Sequence, residues 1–323
     1  MTAKKTIAVI TTGGDAPGMN AAIRSVVRSA IHSGFKVIGF KRGWRGLIEK
    51  DYMNMESRTV SNIIGRGGTI LYTDRCPLFK KKKYRRQAAF NLEELSPAGL
   101  VVIGGDGSMN AAYMLTEMTS VPVIGIPASI DNDIAGTDET VGFDTAINTA
   151  LESIDKIRDT ATSHRRIFIV EVMGRDRGFL AVNIGLASGA EIILIPEKNR
   201  KKEKILEELI ELKNSGKSSI LIIMAEGAGD ADKLAHYIGN SLSVPVRISK
   251  LGYIQRGGAP TVDSRLLASL FGFEAIKLLK KKKSGVMITW VKEELGYVPL
   301  SYPHNNKKEL NMQFLDIARV LSG

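Results

Sequence analysis

The 323-residue chain is poor in the residues that staple or anchor a protein. It holds one cysteine, Cys76, so no disulfide can close within it, and a reducing, cytoplasmic setting is expected. Aromatic residues make up 6%, and no aromatic-rich RNA-binding signature occurs. Apolar runs such as SILIIMA (219–225) fall far below the length that spans a bilayer, so no membrane partner is expected. No signal-peptide pattern opens the sequence, since MTAKKTIAVITTGG runs directly into a turn. The four histidines form no HExxH pair, and zinc-finger spacing and helix-turn-helix patterns are absent.

What remains is an ordinary globular composition, 44% hydrophobic and 24% charged, with ample core for one large or two medium domains. Lys and Arg number 45 against 34 Asp and Glu, a formal charge of +11. The densest runs, KKKKYRR (80–86), KNRKKEK (198–204) and KKKK (280–283), sit at element ends, where solvated lysines are expected. The excess charge therefore points to small anionic ligands, chiefly phosphates, and not to nucleic acid.

Apolar β-rich runs alternate with helical periodicity. Strands are expected at 6–11, 36–40, 100–104, 121–126, 166–172, 191–196, 219–225, 244–249 and 286–291. Helices are expected at 18–33, 109–118, 143–159, 202–214, 230–240, 263–282 and 307–321. Strands without alternation, separated by helices, imply mostly parallel sheets covered on both faces. The fold class is α/β, with two three-layer lobes and the active site in the cleft between them. The turn-rich SIDNDIAGTDET (129–140) is the candidate crossing between lobes.

In open α/β sheets ligands bind beyond the carboxyl ends of strands. TTGGDAPGMN (11–20) and GGDGSMN (104–110) both run from strand through paired glycines into a helix, an arrangement that brings backbone N–H groups up to phosphate. Either alone could be a plain tight turn; together, with Asp106 as a hard oxygen ligand, they suggest a polyphosphate with Mg²⁺. ELKNSGKS (211–218) ends like a phosphate-binding loop but leaves a helix and enters a strand, so it reads as a helix C-cap turn. Asp131 and Asp133 offer a base for a hydroxyl proton and a carboxylate for metal or backbone, against the plain reading of turn and capping duty. Arg75, Arg175 and Arg256 stand beside turns or glycines, where a guanidinium can grip phosphate in two places; a surface ion pair is the ordinary alternative. Cys76 reads as lining, with no histidine near it in sequence.

GGDAPGMNAAIR, GRGGT (65–69), VVIGGDGS, SIDNDIAGTD, VEVMGR and IQRGGAP, in this order and spacing, resemble 6-phosphofructokinase of the bacterial ATP-dependent type across essentially the whole chain. The resemblance implies transfer of phosphate from ATP to fructose 6-phosphate, with Mg²⁺. It assigns Asp131 as the base at the sugar 1-hydroxyl and Arg175 and Arg75 to the migrating phosphoryl group. Asp106 would hold Mg²⁺, with Gly14, Gly107, Ser108, Arg75 and Cys76 around ATP. Ser129, Asp133, Met173, Gly174, Glu226, Tyr253 and Arg256 would shape the sugar-phosphate site, and a neighbouring subunit would donate Arg166 and Arg247 to the 6-phosphate. A homotetramer with cooperative sugar binding follows. The ATP lobe would comprise 1–142 and 255–305, the sugar-phosphate lobe 143–254 and 306–323.

Pyrophosphate-using relatives resemble GGDDS and PKTIDND at the two key loops. Here Gly107 leaves room for an α-phosphate and Ala128 brings no lysine, which favours ATP. The alternatives are a pyrophosphate-dependent enzyme or a non-catalytic nucleotide-sensing paralogue. Tyr253 stands where the family usually has a histidine, so weaker sugar-phosphate binding is expected. Ser129 stands for the usual Thr and keeps the hydroxyl. Asp176 and Arg177 follow Arg175 where the family commonly has an uncharged residue and then Cys or Ala. Trp44 stands where the family often has Tyr, for stacking near adenine. The effector site for ADP or phosphoenolpyruvate is matched by Arg24, Arg28, Arg158, Glu191 and Lys217. Ser57, Ser215 and Ser219 replace basic positions, so a weakened response is expected.

Overall fold

Branched aliphatic runs and amphipathic stretches fold as strands and helices in the computed structural model, which describes residues 5–322. In chain order the elements are β1 (Thr6–Thr12), α1 (Met19–His32), β2 (Lys36–Phe40), α2 (Trp44–Glu49), β3 (Tyr52–Asn54), α3 (Lys82–Leu95), β4 (Gly99–Gly104), α4 (Asp106–Thr116), β5 (Val123–Pro127), α5 (Phe143–His164), β6 (Ile167–Val172), α6 (Phe179–Ser188) and β7 (Ile192–Leu194). There follow α7 (Lys202–Asn214), β8 (Ile220–Ala225), α8 (Ala231–Leu242), β9 (Val246–Lys250), α9 (Val262–Lys280), β10 (Val286–Val291), β11 (Glu294–Pro299), α10 (Ser301–Asn305) and α11 (Gln313–Leu321).

The chain divides into two compact units. Unit 1 comprises Met1–Thr145 and Arg256–Lys308, unit 2 Ala146–Gln255 and Glu309–Gly323; residues 1–4 and 323 lie outside the described residues. Among the described residues, unit 1 holds a seven-stranded sheet in the order β11-β10-β5-β4-β1-β2-β3, parallel except where β3 and β11 pair antiparallel at the two edges. Unit 2 holds a four-stranded parallel sheet in the order β7-β8-β6-β9. Every residue of β4, β5 and β8 is buried, which is why these strands read as unbroken apolar runs. In unit 1, α1 packs along α9, and Gly272 permits the approach: a methyl there would come within 2.5 Å of Ser25 Cβ. Among the described residues no helix is long and apolar enough to cross a membrane.

Several elements differ from expectation. The lysines of KKKKYRR are exposed, as expected, but the run also opens α3, whose Ala88, Ala89 and Leu92 bury against the unit 1 core. Helix α6 has apolar residues all round and so no stripe to detect. The expected helix 307–321 is shorter than expected: residues 307–312 are not helical, and α11 begins after Asn311, whose Oδ1 accepts from Gln313 N at 3.0 Å. The ELKNSGKS turn behaves as a helix end, with Ser215 N donating to Glu211 O at 3.0 Å and Gly216 at φ +96°.

Candidate active site

In unit 1 the order β5-β4-β1 brings three strand-end loops side by side. The register ends on Thr12 beside Gly104 and Gly104 beside Pro127, so Gly13–Gly18, Gly105–Ser108 and Ala128–Asp133 leave the same sheet edge. Contacts tie them together. Ser108 Oγ donates to Thr12 O at 3.0 Å, while a Cβ on Gly104 would strike Thr12 O. A Cβ on Gly105 would sit 3.6 Å from the Ser129 side chain, whose Oγ accepts from Asp131 N at 3.1 Å. Asp131 is 7% exposed. Asn132 beside it holds φ +50° and donates from Nδ2 to Asp138 O at 3.0 Å, and Thr140 Oγ1 donates to Ser129 O at 2.6 Å. The loop is thus held from within, and Asp131 leaves it at a bend.

Both glycine loops lead into helices, α1 and α4, whose first N–H groups lack helical partners. Asp106 opens α4, Gly107 has nothing within 4 Å of a built Cβ, and Gly14 lies in the loop after β1. A fourth segment carries Arg75 and Cys76. Asn20 fixes its start, with Oδ1 accepting from Ile70 N at 2.8 Å and Nδ2 donating to Arg66 O and Gly67 O at 3.1 Å each. Thr73 Oγ1 donates to Gly13 O at 2.9 Å, next to the exposed Arg75; Cys76 packs on the core. Arg256, also in unit 1, pairs with the carboxylate of Asp15, a residue the sequence reading did not single out. Trp44 needs correction: it is 4% exposed and stacked on Phe79 at 4.4 Å, so it is core and not an open stacking face.

Among the described residues no three His, Cys, Asp or Glu side chains gather into a metal cage. A lone carboxylate at a helix start suits Mg²⁺, which is commonly held by one or two carboxylates plus substrate phosphates, so Asp106 fits that ion.

In unit 2 the loop after β6 carries Met173, Gly174 and Arg175. Met173 N donates to Gln255 Oε1 at 2.9 Å and Arg175 N to Glu226 Oε1 at 2.7 Å, which holds Arg175 at φ +51°. Gln255 carries no charge and gave no signal in the sequence. Arg177, a departure from the family pattern, pairs with Glu197 at 3.7 Å; Asp176 is exposed. Tyr253 is 78% exposed. Arg166 precedes β6 and Arg247 lies on β9 opposite Phe168, so both stand at the amino end of the sheet while the Met173–Arg175 loop leaves its carboxyl end. The six residues of β6 separate them by roughly 20 Å.

Arg166 and Lys217 line one cavity of about 290 Å³, with His164, Arg165 and Lys213 adding to its basic wall. Lys217 pairs with the buried carboxylate of Glu191 at 3.3 Å. Arg158 donates to the carbonyls of Ser188 and Gly189, at 2.6 and 3.0 Å, at the end of α6. Arg24 and Arg28 lie on α1 in unit 1; burial, with Arg28 adding repulsion, lowers the Arg24 pKa.

Comparison with known proteins follows the same lines. A family model described as Phosphofructokinase matches residues 6–279. The chain is 47% identical to an ATP-dependent 6-phosphofructokinase of Thermus thermophilus, over 98% of this chain and 99% of that one. It is 45% identical to an ATP-dependent 6-phosphofructokinase of Clostridium botulinum over 98% and 99%. A solved Pichia pastoris phosphofructokinase in the T-state superposes with TM-score 0.89 at 33% identity; it spans 94% of this chain, which covers 36% of that one. A pyrophosphate-dependent phosphofructokinase from Marinobacter aquaeolei, 23% identical, shares the fold with TM-score 0.85 over 96% and 86% of the two chains.

Proposed function

Because this chain belongs to the phosphofructokinase family, we propose that it transfers the γ-phosphoryl group of ATP to the 1-hydroxyl of fructose 6-phosphate, giving fructose 1,6-bisphosphate and ADP, as a glycolytic kinase. The observation that carries this reading is the meeting of three loops at the ends of β1, β4 and β5, two rich in glycine and one bearing Asp131.

Asp131 accepts the proton of the sugar hydroxyl as its oxygen attacks the γ-phosphorus. The bond from γ-phosphorus to the bridging oxygen breaks, and ADP leaves with that electron pair. Arg75 and Arg175 stabilise the charge on the moving group. Ser129 positions Asp131 through its backbone. Gly14, Gly107, Ser108 and Cys76 line the nucleotide, and Asp106 holds Mg²⁺, which screens the β- and γ-phosphate charge when bound. Asp133, Met173, Gly174, Glu226, Tyr253 and Arg256 form the sugar-phosphate site.

The separation of Arg166 and Arg247 from the Met173–Arg175 loop supports their donation to a second copy of the chain; the assembly proposed is a homotetramer. Exposed Val262, Leu266, Leu270 and Phe273, spaced along one side of α9, are consistent with self-association. Arg24, Arg28, Arg158, Glu191 and Lys217 are proposed to bind an effector. A cytoplasmic location suits the single cysteine and this chemistry.

A coupled assay supplied with ATP or pyrophosphate tests the reading. Turnover with ATP alone supports it. Turnover with pyrophosphate alone replaces the donor, and turnover with neither makes the chain a nucleotide sensor.

A further inference from the structure

A chain of three side chains leads away from Asp106. Asn110, four residues on along α4, donates from Nδ2 to Asp106 Oδ2 at 3.1 Å. Its Oδ1 lies 2.8 Å from His304 Nδ1, on α10. The His304 ring packs against the Tyr113 ring at 4.9 Å, so the imidazole touches two residues of one α4 face, Asn110 and its i+3 neighbour. Helix α10 is anchored beneath by buried Leu300 and Pro303, with Leu300 N donating to Gly285 O at 2.8 Å.

The atoms allow one assignment. A carboxylate only accepts, so Asn110 must turn its amide nitrogen toward Asp106 and its oxygen toward His304. An oxygen facing Nδ1 requires a hydrogen on that nitrogen. Neutral His304 is therefore the Nδ1–H tautomer, and the imidazolium donates from the same atom. The link survives protonation of the ring.

An isolated side-chain pair four apart on a helix is a weak interaction, too little to hold one rotamer. A third residue from a separate element changes this, because the amide is then gripped at both ends. Partners of this kind around a metal-holding group typically matter about 10–100-fold in metal affinity.

We infer that Asn110 and His304 are positioning residues for the nucleotide's divalent cation, fixing the Asp106 carboxylate through the relay His304 Nδ1–H to Asn110 Oδ1 and Asn110 Nδ2–H to Asp106 Oδ2. The inference rests on the reading of Asp106 as the group that holds the metal–nucleotide complex.

The test is Mn²⁺ binding, followed by electron paramagnetic resonance, to the full-length protein with a non-hydrolysable ATP analogue. Asn110→Leu keeps the volume and loses both hydrogen bonds; the affinity for the Mn²⁺–analogue complex is expected to fall about tenfold. His304→Ala, at an exposed position that leaves the core alone, is expected to weaken it about threefold to tenfold. His304→Gln returns an N–H donor and is expected to restore most of the loss. The KM for fructose 6-phosphate should not move in any of the three. Asp106→Asn separates the two layers. If it binds Mn²⁺ like the parent, the assignment of Asp106 falls, and the relay with it. If it loses the metal while Asn110→Leu and His304→Ala both keep it, the relay alone is overturned. Should Asn110→Leu fail to fold, the His304 pair decides: equal losses in His304→Ala and His304→Gln also overturn the inference.

Discussion

Lys308 Nζ donates to the backbone carbonyl of Asp138 at 2.8 Å, the same carbonyl that accepts the Asn132 carboxamide at 3.0 Å. The last residue of unit 1 is thus fastened to the loop that bears Asp131. Burial lowers the Lys308 pKa to about 8, against the pull of Asp138, Asp133 and Glu139. The sign follows from proton counts. Between pH 8 and 10.5 the unfolded chain keeps a proton that the folded chain has released, so stability assignable to Lys308 rises with pH in that window and is flat below it. Against Lys308→Met, the parent should gain on the order of 1–2 kcal/mol from pH 8 to 10, screening at this half-buried site included. Denaturant titrations of both proteins across that range check it; a constant difference refutes it.

Asp131→Asn keeps the size and hydrogen-bonding reach of the side chain but cannot take a proton. We expect kcat to fall by on the order of 10²-fold or more, with the fructose 6-phosphate KM changed only a few-fold. Steady-state kinetics with calorimetric sugar binding measure both. A variant that keeps a tenth of the parent kcat would remove Asp131 from the chemistry.

Gly107 lies in the first turn of α4, and a Cβ there meets nothing within 4 Å. Gly107→Asp should therefore fold with a stability change within about 0.5 kcal/mol, its carboxylate tolerated at a helix N-terminus. The same carboxylate would repel and crowd the α-phosphate, so the ATP KM should rise at least about tenfold, a loss of some 1.4 kcal/mol. An unchanged KM with an unchanged melting temperature would show that the nucleotide does not pass Gly107.

Most of the frame was legible because its strands are buried on both faces and its helices mostly carry one apolar side. What escaped did so for physical reasons. β3 and β11 are short edge strands with no fully buried residue, so neither shows the unbroken apolar run of the central strands. α6 is apolar all round, and the start of α3 looks like nothing but solvated charge. The site followed the same rule. Glycine–acid loops such as GGDGSMN are read locally. Asp15 beneath Arg256, Gln255 beneath Met173 and His304 beyond Asn110 act across large sequence separations, which no local pattern records. Trp44 was misplaced because a tryptophan serves a core and an adenine equally well until its neighbour, Phe79, is known.

Phosphoenolpyruvate should inhibit weakly. Ser57, Ser215 and Ser219 bring no positive charge, Arg158 is engaged by the carbonyls of Ser188 and Gly189, and Lys217 by Glu191. Initial rates at low fructose 6-phosphate should change by less than about threefold on adding the effector, a difference below about 0.7 kcal/mol. A saturable loss of most activity would contradict this.

Glu226 distinguishes contact from positioning. Its Oε1 accepts from Arg175 N at 2.7 Å, and Arg175 pays for a left-handed backbone at φ +51° with about 1–2 kcal/mol of strain. A residue that only touched the sugar would raise KM when removed. If Arg175 acts as proposed, on charge that develops during transfer, a residue that also holds it in this bend should lower kcat when removed. We expect Glu226→Ala to reduce kcat on the order of tenfold, and Glu226→Gln, which keeps the accepting oxygen, to recover most of it. If Glu226→Ala raises KM alone and leaves kcat intact, the Arg175 backbone keeps its bend without the carboxylate and the residue belongs to sugar recognition only.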